Sequence, residues 1–171
     1  MIDYISGKLA ELTPTSAVIE NQGIGYRTEI SLQTYALLEG KGTATIYIQK
    51  QVNQRDGTDV DYGFASKDER ELFRKITAVS GMGASSARMI LSAMSADELR
   101  EAILSENVNR LKSVKGIGLN TAQRMILELK DKIVKGEGAA ASEVLFNSDV
   151  NAAAEEASSA LQMLGFAKPN I

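Results

Sequence analysis

The sequence predicts an α+β chain of several domains: an N-terminal β-barrel, an all-helical domain, a linker and the start of a further small helical domain. Three observations carry that prediction. Up to Phe64 the chain breaks into short runs rich in β-branched and aromatic side chains, punctuated by glycine. From Ser66 the apolar residues recur at helical spacing. From Gly136 small, weakly patterned residues replace both patterns. Residues 1–64, 65–135, 136–148 and 149–171 are read accordingly as barrel, helical domain, flexible linker and partial C-terminal domain.

In the first stretch the strand runs are Ile2–Leu9, Ala17–Glu20, Tyr26–Ile30, Ala44–Ile48 and Val60–Phe64. Gly7, Gly23, Gly25, Gly40, Gly42 and the pair Asp56-Gly57 separate or bend them. Five short strands in about sixty residues fit a small antiparallel barrel, of which the OB-fold is the commonest of this size that binds nucleic acid. A barrel of that kind serves equally well as an oligomerisation platform, and these residues alone do not choose.

Helix signals begin with Ser66, whose hydroxyl and Glu69 three residues on fit a capping box. Leu72, Phe73 and Ile76 continue the apolar stripe to Val79. Further helices are expected at 84–94, 95–104, 107–112 and 119–134, with Ser95 and Glu98 forming a second capping box. The run Gly136-Glu137-Gly138-Ala139-Ala140-Ala141-Ser142 reads as linker, interrupted by Val144-Leu145-Phe146. A last helix is expected at 149–164, with Ala153, Ala157, Ala160, Leu161 and Leu164 on one side and Gly165 as its stop. One helix of about 16 residues cannot bury its apolar stripe alone, so this segment docks elsewhere or belongs to a longer domain.

Composition excludes much chemistry. There is no Cys and no His, so Cys/His zinc sites, a thiol nucleophile, a Ser-His-Asp triad and disulfides are ruled out. No apolar run approaches the roughly 20 residues of a membrane span, and Met1-Ile2-Asp3-Tyr4 opens no secretory signal, which leaves the cytoplasm as the expected compartment. With 5% aromatics and no Trp, extensive base stacking on exposed rings is not expected. The net charge of −3 is divided: residues 1–64, 65–135 and 136–171 carry −3, +4 and −4. Only the middle stretch has the sign that grips a polyanion, and an excess of four also suits an ordinary solvated helical surface.

The most informative pattern is an internal repeat at an offset of 35 residues. Val79-Ser80-Gly81-Met82-Gly83-Ala84-Ser85-Ser86-Ala87 superposes on Val114-Lys115-Gly116-Ile117-Gly118-Leu119-Asn120-Thr121-Ala122. In each copy a helix ends, the chain reverses through Gly-apolar-Gly, and the apolar residue turns inward to pin the turn. Glycine allows positive φ and close approach of a partner. The following helix then presents free amides, a neutral cradle for a phosphate that grips DNA without reading bases. This is the helix-hairpin-helix motif. A Walker A loop is excluded because neither Gly83-Ala84-Ser85 nor Gly118-Leu119-Asn120 supplies its lysine, and a helix, not a strand, precedes each copy. No cofactor is implied.

The segment Gln51 to Asp61 is polar and acidic, and Asp56-Gly57 signals a type I′ turn that would set Asp56 at an exposed tip. A solvated turn is one reading. A magnesium site of Asp56, Asp59 and Asp61 is disfavoured, because one hairpin offers no supporting shell.

Gly23-Ile24-Gly25-Tyr26, Tyr62-Gly63-Phe64, Glu69-Arg70-Glu71-Leu72-Phe73, Gly81-Met82-Gly83, Leu91-Ser92-Ala93-Met94-Ser95 and Gly116-Ile117-Gly118 come in an order and spacing that resemble the RuvA family. The resemblance implies a non-catalytic, Holliday-junction-binding subunit of the bacterial RuvAB branch-migration complex. It implies an OB-fold, two helix-hairpin-helix motifs, a linker and a mobile domain that engages the hexameric ATPase RuvB. Its assembly would be a homotetramer, or two tetramers as an octamer, with the resolvase RuvC as a further partner. An acidic pin is implied before Tyr62-Gly63-Phe64, here Asp56 with Asp59 as the nearest second acid, since Arg55 precedes Asp56. DNA-backbone contacts are expected from Gly81, Gly83, Ser85, Ser86, Arg88, Lys115, Gly116, Gly118, Asn120, Thr121 and Arg124. The lysines that family members often carry after the second glycine are replaced by Ala84-Ser85 and Leu119-Asn120. The resemblance further implies that, with a short third domain, coupling to RuvB is impaired.

The alternative from another class is a helix-hairpin-helix repair enzyme such as a glycosylase, with Lys130 or Asp131 after the second hairpin as its catalytic group. Helical periodicity explains both as a charged face. A purely architectural oligomer would leave the two hairpins unexplained.

Overall fold

The computed structural model describes residues 1–52 and 57–145, with side chains described as far as Ile133. β1 (Tyr4–Leu12), β2 (Ser16–Asn21) and β3 (Ile24–Ile30) form an antiparallel meander; α1 (Leu32–Leu38) follows, then β4 (Thr43–Val52) and β5 (Asp59–Phe64). The strands close in the order β1-β2-β3-β5-β4, with β1 pairing β4 from Tyr4↔Tyr47 to Lys8↔Thr43. This five-stranded closed barrel is the OB-like architecture the strand runs predicted, except that it is not wholly antiparallel: β3 and β5 pair in parallel, Glu29↔Tyr62 and Ile30↔Gly63, because β5 enters the sheet after the β4 crossover and not from a hairpin with β3. Gln22 (φ 51°) and Gly23 (φ 80°) make the two-residue turn that joins β2 to β3, both in the left-handed region such hairpins require.

Closure demands glycine where β5 meets β3. A Cβ on Gly63 would lie 2.4 Å from Thr28 Oγ1 and 2.7 Å from Ile46 Cγ2, so β5 reaches β3 only because that position has no side chain. Ile5, Ala17, Ile19, Ile30, Leu38, Ile46 and Ile48 fill the interior.

The helix α1 was not anticipated. At seven residues inside a strand-rich half it has too little periodicity to register, and its one local signal is Ser31, whose side chain accepts from the Thr34 N–H as an N-cap.

Beyond the barrel come α2 (Lys67–Thr77), α3 (Ala84–Ala93), α4 (Ala96–Leu104), α5 (Val108–Lys112) and α6 (Leu119–Leu145). Their core includes Leu72, Phe73, Ile76, Leu91, Leu99, Ile103 and Leu129, and it also takes in Tyr62 and Phe64 of β5. The Phe73 ring lies 4.9 Å from both, so the helical core crosses the compositional boundary at 64/65.

The two expected capping boxes differ. Ser95 and Glu98 form a complete one. Ser66 accepts from the Glu69 N–H, but the Glu69 carboxylate turns away to Ser31, the N-cap of α1, and to Thr34 within that helix.

Residues Met1–Ile133 form one compact unit and Val134–Ile171 another. Helix α6, expected to end at 134, runs to Leu145, so positions 136–145 of the expected linker are helical. The physical reason is that Ala139-Ala140-Ala141 is among the best helix-forming sequences, which outweighs two glycines at about 1 kcal/mol each. The remainder of the expected linker, 146–148, and the helix expected at 149–164 lie outside the described residues. Among the described residues no helix is long and apolar enough to cross a membrane.

Candidate nucleic-acid interface

Two turns repeat bond for bond at the 35-residue offset. In the first, Ala78 N–H donates to Arg74 O, Val79 to Ile76, Met82 to Val79 and Ala87 to Gly83. In the second, Ser113 N–H donates to Asn109 O, Val114 to Leu111, Ile117 to Val114 and Ala122 to Gly118. The dihedral signature repeats as well, with Gly81 at φ 84° and Gly116 at φ 89°, values that an L side chain rarely adopts. Met82 and Ile117 are each 7% exposed, so both apolar residues pin their turns inward as the spacing predicted.

The amides follow from this geometry. Gly83 precedes α3 with no side chain to cap it, and the first intrahelical bond is made by Ala87. The N–H groups of Ala84, Ser85 and Ser86 therefore stand ahead of the hydrogen-bonded turns, as do those of Leu119, Asn120 and Thr121 ahead of Ala122. Beyond the glycine and its two chain neighbours, no heavy atom lies within 4 Å of where a Cβ on Gly83 or Gly118 would sit, so the approach to each set of amides is open. Ser85 and Asn120, at equivalent positions, are exposed; Ser86 and Thr121 are half-buried beside them.

The cations are placed unequally. Lys115 is exposed in the second turn, at the position that Ser80 holds in the first. Lys112, which the sequence reading passed over, is exposed in the last turn of α5; its signal was the three-residue spacing to Lys115. Arg124 Nη1 donates to Ser80 O at 3.1 Å, which ties α6 to the first turn and sets its guanidinium 3.5 Å from where a Cβ on Gly81 would be. Arg88 faces the barrel: its Nη1 donates to Glu29 Oε2 at 2.9 Å and to Thr15 O at 3.3 Å. It fastens α3 to β3 and stands apart from the other expected phosphate contacts.

At the acidic hairpin, the β4–β5 ladder ends at Val52↔Asp59. Asp56 lies outside the described residues, and Gly57 has φ 70°. Asp59 belongs to the strand, not the tip, and its Oδ2 accepts from Lys50 Nζ at 3.0 Å, with Asp61 Oδ1 3.9 Å from the same nitrogen. The hydrogen bond to Asp59, then the nearby charges of Asp61 and Asp59, raise the Lys50 pKa above the ordinary lysine value. Lysine thus offsets part of the negative charge at the hairpin's root. The candidate repair-enzyme lysine, Lys130, is paired with Glu106 at 2.5 Å, as a charged helix face would have it.

The sequence matches the family model described as RuvA N terminal domain over residues 1–58 and the SAM-like Helix-hairpin-helix tandem model over residues 73–131. It is 51% identical over 175 residues to a protein of Bacteroides fragilis named "Holliday junction branch migration complex subunit RuvA", covering 98% of this chain and 85% of that one. Proteins of the same name from Bacteroides thetaiotaomicron and Porphyromonas gingivalis are 50% and 44% identical, over 98% and 100% of this chain and 85% and 87% of theirs. With a closed barrel and a doubled hairpin in the family's order, and relatives of this identity over nearly its whole length, the chain belongs to the RuvA family.

Proposed function

We propose that this chain binds Holliday junctions through their phosphates, as the non-catalytic subunit of a branch-migration complex. The observation that carries the reading is the bond-for-bond repetition of the two turns, since paired amide cradles suit two points on a DNA backbone and no single small ligand. The names borne by its relatives support the same reading and disfavour a glycosylase.

On this reading Gly81, Gly83, Ser85 and Ser86 hold one phosphate and Lys115, Gly116, Gly118, Asn120 and Thr121 another. Arg124 stands between hairpin and helix, and Arg88 supports from behind. Asp56 and Asp59 form the acidic pin. A homotetramer, alone or doubled into an octamer, would present four such surfaces to a four-armed substrate in the cytoplasm. RuvB would supply ATP-driven movement, with residues 149–171 as its contact, and RuvC would act on the same junction. With few lysines at the turns, few counterions are released, and the salt dependence should be shallow.

The test is equilibrium binding to four-way, duplex and single-stranded DNA of equal sequence content, without a motor. Tightest binding to the four-way form with every strand intact supports the proposal. Equal affinity for all three forms, or strand cleavage, overturns it.

A further inference from the structure

We infer that Arg70 is a positioning residue for selectivity among DNA forms, locking the root of the acidic β4–β5 hairpin to the first helix of the first helix-hairpin-helix motif. The inference rests on the proposed junction binding, and it adds the device that holds the Asp59 and Asp61 carboxylates of the hairpin's root at a set distance from the phosphate cradle.

Arg70 lies on α2, the helix that runs directly into the first turn, and is 6% exposed. Its Nη1 donates to Asp3 Oδ1 at 2.7 Å and Asp3 O at 2.9 Å, with Ile48 O at 3.4 Å. Its Cζ lies 5.5 Å from the centre of the Tyr47 ring. One turn further along α2, Arg74 Nε donates to Gln49 Oε1 at 2.5 Å. Consecutive β4 residues 47, 48 and 49 are thus held by positions i and i+4 of one helix face. The other strand is held too, because Tyr62 and Phe64 of β5 pack on Phe73 of the same helix. Four residues past Ile48 the ladder ends at Val52, and the acidic connection begins.

A buried cation is a poor choice if stability were the only demand. Well-packed apolar residues often serve as well or better in such a place, and the buried Nε here has no partner. Directional bonds from one nitrogen to three acceptors on two segments do what an apolar contact does not: they set an angle. A hairpin root anchored that way brings Asp59 and Asp61 to the same place relative to the Gly81–Ser86 amides in every molecule. Carboxylates near phosphates discriminate between DNA forms only if their position is defined, since Coulomb repulsion varies with distance.

The experiment compares wild type, Arg70→Met and Arg70→Lys, each checked for fold by circular dichroism, for affinity to duplex and four-way DNA. Arg70→Met should leave duplex affinity within about twofold while the junction-to-duplex ratio falls by about tenfold, equivalent to roughly 1.4 kcal/mol. Arg70→Lys, able to reach one acceptor but not the set, should fall between. Because the chain has no cysteine, Val52→Cys and Met89→Cys can carry paired spin labels, measured after dilution into an excess of unlabelled protein. The distance distribution between them should broaden in Arg70→Met. A folded Arg70→Met with wild-type ratio and wild-type distribution overturns the inference. If that variant does not fold, Arg74→Ala and Gln49→Ala test the same anchorage from half-buried positions, and wild-type selectivity in both overturns it. A wild type that does not itself prefer junctions would instead overturn the proposed function, and the label distances would still decide whether Arg70 sets the hairpin's position.

Discussion

Arg124, on the helix that follows the second turn, donates a hydrogen bond to the carbonyl of Ser80 in the first, so the two hairpins are fastened to each other and not merely repeated. Glu128, one helical turn on, lies 3.4 Å from the Ser80 N–H as its acceptor. Arg124→Ala should therefore weaken binding to every DNA form alike. An exposed contact of this kind contributes about 1 kcal/mol or less to folding, so the unfolding temperature should hardly move. Fluorescence anisotropy against duplex and four-way DNA, with a thermal melt alongside, checks both halves; unchanged affinity would show that the tie plays no part in binding.

The four turn glycines separate folding from phosphate contact. Gly83 and Gly118 have ordinary negative-φ or extended backbones with open space at Cβ, so Gly83→Val or Gly118→Val should fold and yet place methyl groups over the amides, lowering junction affinity. Gly81 and Gly116 sit at φ 84° and 89°. Gly81→Val or Gly116→Val should cost about 1–3 kcal/mol of stability through backbone strain alone. Chemical denaturation and DNA titration of all four variants give the comparison, and wild-type affinity in a folded Gly83→Val would remove the cradle.

The acidic hairpin should oppose DNA binding in general. Asp56→Asn with Asp59→Asn removes two negative charges and releases Lys50 from its Asp59 partner, which lowers the lysine's pKa toward its ordinary value and leaves a cation beside the DNA. Duplex affinity should rise and junction preference fall, most clearly at low salt. A double variant that binds and discriminates as the wild type does would exclude a pin.

Glu69 makes stability depend on pH. Burial raises its pKa above the ordinary glutamate value; hydrogen bonds from Ser31 and Thr34 oppose the rise and the charge of Asp68 adds to it. A carboxyl raised on folding binds protons more readily in the folded chain. Its contribution is complete below the unfolded value and is lost as pH rises through the folded one. The stability of wild type relative to Glu69→Gln should thus decline as pH climbs through that window and stay level outside it. Urea unfolding at a series of pH values measures the difference, and parallel curves would show that Glu69 is not the titrating group.

Legibility varied with the range of the interactions. The doubled hairpin was readable because Gly-apolar-Gly and the helix start after it are set within nine residues, and positive φ at Gly81 and Gly116 is a demand that glycine announces. The barrel was readable as strand runs, yet its ends were misplaced: β4 extends to Val52 and β1 to Leu12, because ladder partners stabilise residues whose own propensities are weak. Helix α1 and the continuation of α6 to Leu145 were missed for opposite reasons, one too short to show a period and the other masked by two glycines.

The sequence by itself determined the family, the order of barrel and hairpins, and the glycine turns with the helix starts that follow them, since each depends on residues close together in the chain. Tertiary structure alone decided the duties of the charged side chains. Nothing in the local pattern tells Arg88, bound to Glu29 of the barrel, from Lys115, exposed at a turn. Nor does it show that Glu69 abandons its cap for two hydroxyls more than thirty residues away, or that Arg70 grips the strand leading to the acidic hairpin. Long flexible side chains take whichever partner folding brings within about 3 Å, and that choice is made by the packing of distant elements and not by neighbours in sequence.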